Sequence, residues 1–165
     1  MLAAPMTEID ILRLAAREAV GHSSDPKTQN GAALSRRNDI VFTAANAFPS
    51  GVEARHCRLQ RPEKYRFIEH AERNVIYRAA ASGWATGGAT MYCLWFACPD
   101  CARAIIQAGI YEVVGHVKPR NATPSRWLQA VNDGEQMLRE AGVGMRWLAE
   151  PLGVTIQFDG KEMNL

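Results

Sequence analysis

Apolar positions recur at helical spacing near the start of the chain: Ile9, Leu12, Ala16 and Val20, with Ile11, Leu14 and Ala15 widening the stripe. The pattern predicts a helix over Thr7 to Val20, with Thr7 as N-cap and Gly21 as its stop. A polar stretch, His22 to Thr28, holds the turn-forming pair Asp25-Pro26. Two short apolar runs follow, Gly31 to Leu34 and Ile40 to Ala45, joined through Arg36-Arg37-Asn38-Asp39. That link is too short for a crossover, so the two strands are expected to be antiparallel neighbours. Asn46 to Phe67 is polar, irregular and broken by Pro49, Gly51 and Pro62, and a loop of that length points to function. Helical and strand periods then alternate. A helix is predicted over Glu69 to Ala81, a strand over Thr90 to Trp95, a helix over Pro99 to Ala108 ended by Gly109, and a strand over Tyr111 to Val117. After a break at Pro119 to Pro124, Ser125 caps a helix to about Ala141. A strand over Gly144 to Leu148 and a small one over Val154 to Phe158, turning at Asp159-Gly160, complete the pattern.

Strands separated by helices connect through right-handed crossovers and run parallel. The order therefore predicts an α/β domain with a mixed sheet, helices on both faces, and a parallel pair flanking the helix at Ser125 to Ala141. At 165 residues, with 47% hydrophobic and 22% charged positions, the chain suits a single globular domain spanning 1–165. A short extension is expected from about residue 150. A net charge of +2 is too weak for the basic stripe of a nucleic-acid binder, so no nucleic-acid partner is expected. No apolar run is long enough for a membrane span, and Met1 to Met6 lacks a basic segment leading into an apolar one. No membrane partner is expected, and the expected compartment is the cytoplasm.

The candidate chemistry sits in two short segments. His70-Ala71-Glu72 is followed about 25 residues later by Cys98-Pro99-Asp100-Cys101, each at a predicted helix start. Unpaired N–H groups and the helix dipole there favour thiolate, the metal-binding form of cysteine. One imidazole and two thiolates fill three positions of a tetrahedral Zn²⁺ and leave the fourth for water. Zinc draws the pKa of that water from about 15.7 towards roughly 7. Glu72 is then free to move protons. This combined spacing resembles the His-x-Glu and Cys-x-x-Cys signature of the zinc nucleobase deaminases. The other cysteines fit other uses. Cys93 lies within an apolar strand and reads as core. Cys57, beside His56, leaves open a second zinc with His22.

These segments resemble the deoxycytidylate (dCMP) deaminase-like branch of the cytidine deaminase superfamily. The resemblance covers about Asp10 to His116 and is carried by Ser24-Asp25-Pro26-Lys27-Thr28-Gln29, Asn46-Ala47-Phe48-Pro49-Ser50-Gly51, His70-Ala71-Glu72-Arg73-Asn74 and Cys98 to Ile106. It implies a three-layer α/β/α cytidine-deaminase-like fold whose central mixed five-stranded sheet has its last two core strands parallel. It implies His70, Cys98 and Cys101 as zinc ligands, Glu72 as proton shuttle, and Asn46 at the substrate's sugar. Ala71, between the ligand and the shuttle, is a further candidate substrate contact. The implied activity is hydrolytic deamination of a cytosine nucleotide, dCMP to dUMP with release of ammonia. Another small aminated nucleobase, nucleoside or modified pyrimidine or purine is the alternative substrate. A homo-oligomer, dimer to hexamer, is implied as well. The chain departs from the family pattern at Ser24, Asn30, Ala47 and Ala97. The first and third of these fall in the substrate segments. The loop Arg55 to Arg66 carries five Lys and Arg residues, which either replace phosphate donors or form a solvated or oligomer-facing surface. Phe48, Trp95 and Phe96 are candidates to stack on a pyrimidine ring. Trp84, Trp127 and Trp147 read as packing, and His116 as structural.

Overall fold

The computed structural model describes residues 6–37 and 39–165; Asn38, in the expected turn, and the first five residues lie outside that range. Thr7 caps the first helix, α1 (Glu8–His22), through a reciprocal capping box with Asp10. The Asp10 N–H donates to Thr7 Oγ1 at 3.2 Å, and the Thr7 N–H donates to Asp10 Oδ2 at 3.3 Å. Gly21 does not stop α1. Its backbone is not left-handed, and the helix runs on to Ser23 as C-cap.

Five strands follow in chain order: β1 (Gly31–Arg36), β2 (Asp39–Ala45), β3 (Thr90–Cys93), β4 (Glu112–His116) and β5 (Gly144–Leu148). They form one sheet in the order β2-β1-β3-β4-β5. β1 is antiparallel to β2 and β3, whereas β3, β4 and β5 run parallel. The parallel half is the part in which helices separate the strands: α4 (Pro99–Gln107) lies between β3 and β4, and α6 (Ser125–Glu140) between β4 and β5.

Alternation along the strands builds two cores. Ala32, Leu34, Met91, Cys93 and Val113 point to one face, under α3 (Ala71–Ala81), α4 and α6. Ala33, Tyr92 and Val114 point to the other, under α1. The same second core takes in Leu152, Ile156, Phe158 and Leu165 from a C-terminal hairpin, β6 (Thr155–Phe158) and β7 (Lys161–Asn164). The three layers and the parallel pairing agree with the sequence-based expectation.

Several boundaries differ from it. The strand at Thr90 ends at Cys93; Leu94 still bonds Gly31 O and the His116 N–H, both at 3.3 Å, and the chain turns away after it. The long loop carries a 3₁₀ turn over His56–Leu59 and a four-residue helix, α2 (Lys64–Phe67). The expected break at Pro119 holds a short helix, α5 (Val117–Asn121). Ser125 is the first residue of α6 and not its cap; Pro124 occupies that position without a side-chain bond. β7 is polar and exposed, so it lacks the apolar alternation that marks a strand. It forms because Asp159 and Gly160, with φ of 51° and 78°, make the tight two-residue turn that hairpins favour.

Candidate active site

Two helix starts converge at the end of the sheet. His70 is the N-cap of α3 and Cys98 the N-cap of α4, both with extended backbones, while Cys101 lies in the first turn of α4. Their positions follow from what holds each start in place. The Asn74 carboxamide donates to Ala45 O at 2.9 Å, tying α3 to the end of β2. Arg73 reaches Glu69 Oε1 at 2.5 Å and Asp100 Oδ2 at 3.5 Å, spanning the two helix starts. α6 lies against the other side of the cysteine loop with no room between them. A Cβ on Gly134 would stand 2.0 Å from Ala97 O.

Asn30 holds the irregular backbone after β3. Its side chain donates to Trp95 O at 2.8 Å and accepts from the Trp95 N–H at 3.2 Å. It also donates to Cys93 Sγ at 3.4 Å. The departure from the family pattern at this position therefore has a structural use: a carboxamide satisfies backbone groups that the sheet no longer pairs.

The sulfurs of Cys98 and Cys101 lie 3.6 and 3.4 Å from His70 Nδ1. The three ligand atoms all fall within 4.8 Å of one another, a spacing that can hold one metal ion. The Cys98 thiol is pulled down to about 4, chiefly by its hydrogen bond with Cys101 and further by His70. Cys101, the donor in that pair and deeply buried, is pushed up. Burial alone would lower the His70 pKa, but its bond to Cys98 and the charges of Glu72 and Cys98 lift it. A cluster that already favours one thiolate beside an imidazole has the soft donor set that suits zinc. Among the described residues, His56 and Cys57 join no comparable group, and Cys57 is exposed. Cys93 is fully buried in the core, where burial pushes its thiol pKa up.

Glu72 is 2% exposed, and its Oε2 has no hydrogen-bond partner. Burial lifts its carboxyl to about 7. An orphaned buried carboxyl oxygen is costly unless something else occupies the site, which fits a metal and its water close by.

His70, Ala71, Glu72 and Cys98 line one end of a cavity of about 120 Å³. Asn46 also lines it, but its carboxamide is largely engaged. It accepts from the Asn30 N–H at 2.8 Å and from Ser23 Oγ at 2.7 Å, and donates to Thr28 O at 2.8 Å. Phe48 is not part of the lining, whereas Trp95 and Phe96 are. Trp127 is a correction to the sequence-based reading. It stands in the cavity wall, edge-on to Tyr65 at 5.3 Å, and does not merely fill the core. Trp147 does pack, stacked on Phe96 at 5.5 Å, and Trp84 packs against Phe42. His116 is fully buried and structural: its Nδ1 accepts from the Lys118 N–H. Lys64 and Asp25 form a buried ion pair at 2.5 Å on the cavity wall that sequence reasoning missed. The signal available was an Asp-Pro turn and a basic loop, with nothing to join them.

A three-layer sheet that brings one histidine, two cysteines and a buried glutamate to two helix starts is the architecture of a zinc-dependent deaminase. The model of the cytidine and deoxycytidylate deaminase zinc-binding region matches residues 6–117, and the chain belongs to that family. It is thus an enzyme, a hydrolase acting on C–N bonds, with zinc as its cofactor. It is 36% identical over 132 residues to the "uncharacterized deaminase in luxG 3′ region" of Aliivibrio fischeri, covering 79% of this chain and 87% of that one. It is 35% identical over 99 residues to human deoxycytidylate deaminase, covering 56% of this chain and 54% of the relative, so it spans about half the length of that enzyme. The apo dCMP deaminase of cyanophage S-TIM5 superposes with a TM-score of 0.64 at 25% identity, over 87% of this chain and all of that one. No described helix is long and apolar enough to cross a membrane.

Proposed function

We propose that the chain hydrolytically deaminates a cytosine nucleotide, converting dCMP to dUMP and releasing ammonia. In this reading His70 Nδ1, Cys98 Sγ and Cys101 Sγ hold zinc. When bound, the ion supplies Lewis-acid activation of the attacking water. Glu72 takes a proton from that water and passes it to ring N3. It then carries the second proton to the departing amino group, so the water oxygen ends on C4 and ammonia leaves. A group moving protons this way typically contributes about 10²–10⁴ in rate. The observation that carries the reading is Glu72 itself, buried, unpartnered at Oε2 and lining the same cavity as His70 and Cys98. Trp95 and Phe96 add aromatic walls suited to a flat ring. The relatives named for dCMP and deoxycytidylate favour a nucleotide over a free base. Ammonia release from dCMP, CMP, deoxycytidine, cytosine, adenosine and guanine tests the proposal. Highest kcat/KM on dCMP is expected; a free base or a nucleoside as the best substrate would overturn it.

A further inference from the structure

The loop from Arg55 to Arg66 carries five Lys and Arg residues, of which Arg61 and Lys64 line the cavity. Arg55 pairs with Glu53 at 2.7 Å, and Arg66 with Glu63 at 3.5 Å. Arg58 donates to Glu53 O and lies over the Phe67 ring. None of these three lines the cavity. Lys64 does, but it is buried against Asp25, whose charge cancels its own. Arg61 remains. It lines the cavity, and its ionic partner is Asp159, 3.2 Å away on the turn of the β6–β7 hairpin.

Asp159 is shared. Arg126, in the first turn of α6, reaches its Oδ2 with Nη1 at 3.2 Å and its Oδ1 with Nη2. Two guanidiniums thus converge on one carboxylate, leaving a surplus of one positive charge. The turn is fastened to the pocket rim. The Gly160 N–H donates to Lys27 O at 2.8 Å, and the Asp159 N–H donates to Thr28 Oγ1 at 3.4 Å. Arg126 and Asp159 line a small hollow that shares Thr28, Trp95 and Trp127 with the main cavity, so the two spaces adjoin. The side chains of Arg61 and Arg126 stay 43% and 40% exposed, leaving donors open to a ligand.

We propose that Arg61 and Arg126, held together by Asp159, form an anion subsite at the cavity mouth that binds the 5′-phosphate of a mononucleotide substrate. The inference rests on the nucleotide reading above and names the residues that would enforce it. Guanidinium donors in a fixed fork match phosphate oxygens, and a dianion outweighs the single carboxylate already present. Arg126 and Asp159 lie beyond residue 117, where the family match ends, whereas Arg61 lies within it, so the subsite joins the matched region to the C-terminal part.

The test is calorimetric binding of the product pair dUMP and deoxyuridine to the zinc-loaded enzyme, in wild type, Arg61→Gln, Arg126→Gln and Arg61→Lys. Hydrogen bonds to charged groups predict about a 10- to 100-fold loss of dUMP affinity in each Gln variant, with deoxyuridine binding unchanged. Arg61→Lys should recover part of the loss. Unchanged dUMP affinity in both Gln variants, with wild type still preferring dUMP, would overturn the subsite and leave the nucleotide reading intact. Equal losses for dUMP and deoxyuridine would mark the arginines as structural and also overturn it. Wild type binding deoxyuridine as tightly as dUMP would overturn the nucleotide reading itself.

Discussion

Lys64 is 5% exposed, and nothing about its place in a basic loop says so. Its Nζ meets Asp25 Oδ2, while Asp25 Oδ1 accepts the N–H groups of Lys27 and Thr28 at 2.9 and 3.2 Å. Removing one member of a buried pair leaves the other charged and unsolvated, at a cost of about 3–5 kcal/mol. Lys64→Met is therefore expected to lower unfolding free energy by that order in a denaturant titration; a change below about 1 kcal/mol, the scale of an exposed pair, would contradict the burial. The zinc-site residues themselves were legible, because a metal centre imposes residue types at fixed spacing. His70, Glu72, Cys98 and Cys101 come together as that spacing implied. Asn30 and the Lys64–Asp25 pair were not, since their partners lie 65 and 39 residues away and no local pattern announces them. Phe48 lies outside the cavity lining, and Asn46 lines it with its carboxamide bonded to the Asn30 N–H and Thr28 O, arrangements that no local pattern announces either.

Helix α6 positions the site from behind. Its buried Leu138 joins the core, Glu135 pairs with Arg120 and Gly134 abuts the cysteine loop, while Trp127, Ala130 and Val131 line the cavity. The helix was readable in the sequence from Ser125 to about Ala141, but which end would overhang the site was not. Gly134 is the contact point, because its backbone meets Ala97 O and the loop that carries Cys98. Gly134→Ala must push that loop aside, and overpacking of this kind costs about 1–3 kcal/mol. The expected outcome is a lower melting temperature together with weaker zinc retention on dialysis. Unchanged values for both would refute the close approach. The long helices and the apolar strands were legible from their patterns. α2, α5 and β7 were not, because these short pieces carry no apolar pattern of their own and are set by what they pack against.

At the scale of the molecule, the sheet needs both faces covered, and α1 does not cover its side alone. Leu152, Ile156, Phe158 and Leu165 complete that core and are nearly inaccessible to solvent. At about 1.5–3 kcal/mol for each buried side chain, losing them would remove roughly 6–12 kcal/mol. That equals most of the stability of an ordinary domain, about 5–15 kcal/mol. A chain ending at Glu150 is therefore expected to lose cooperative unfolding, as followed by near-ultraviolet circular dichroism and thermal melting. A truncated chain that melts like the full one would contradict the role given to the hairpin. The overall architecture was legible because strand–helix alternation dictates parallel pairing. The hairpin's part in the core was not, since its apolar residues point to a partner, α1, more than a hundred positions earlier.

The most direct test of the account is metal content and turnover measured side by side in Glu72→Gln and Cys98→Ala. Glu72→Gln should retain about one zinc per chain and lose about 10²–10⁴ in kcat, and Cys98→Ala should lose the zinc together with the activity. A Glu72→Gln enzyme that keeps its turnover, or a Cys98→Ala enzyme that keeps a full equivalent of zinc, would contradict it.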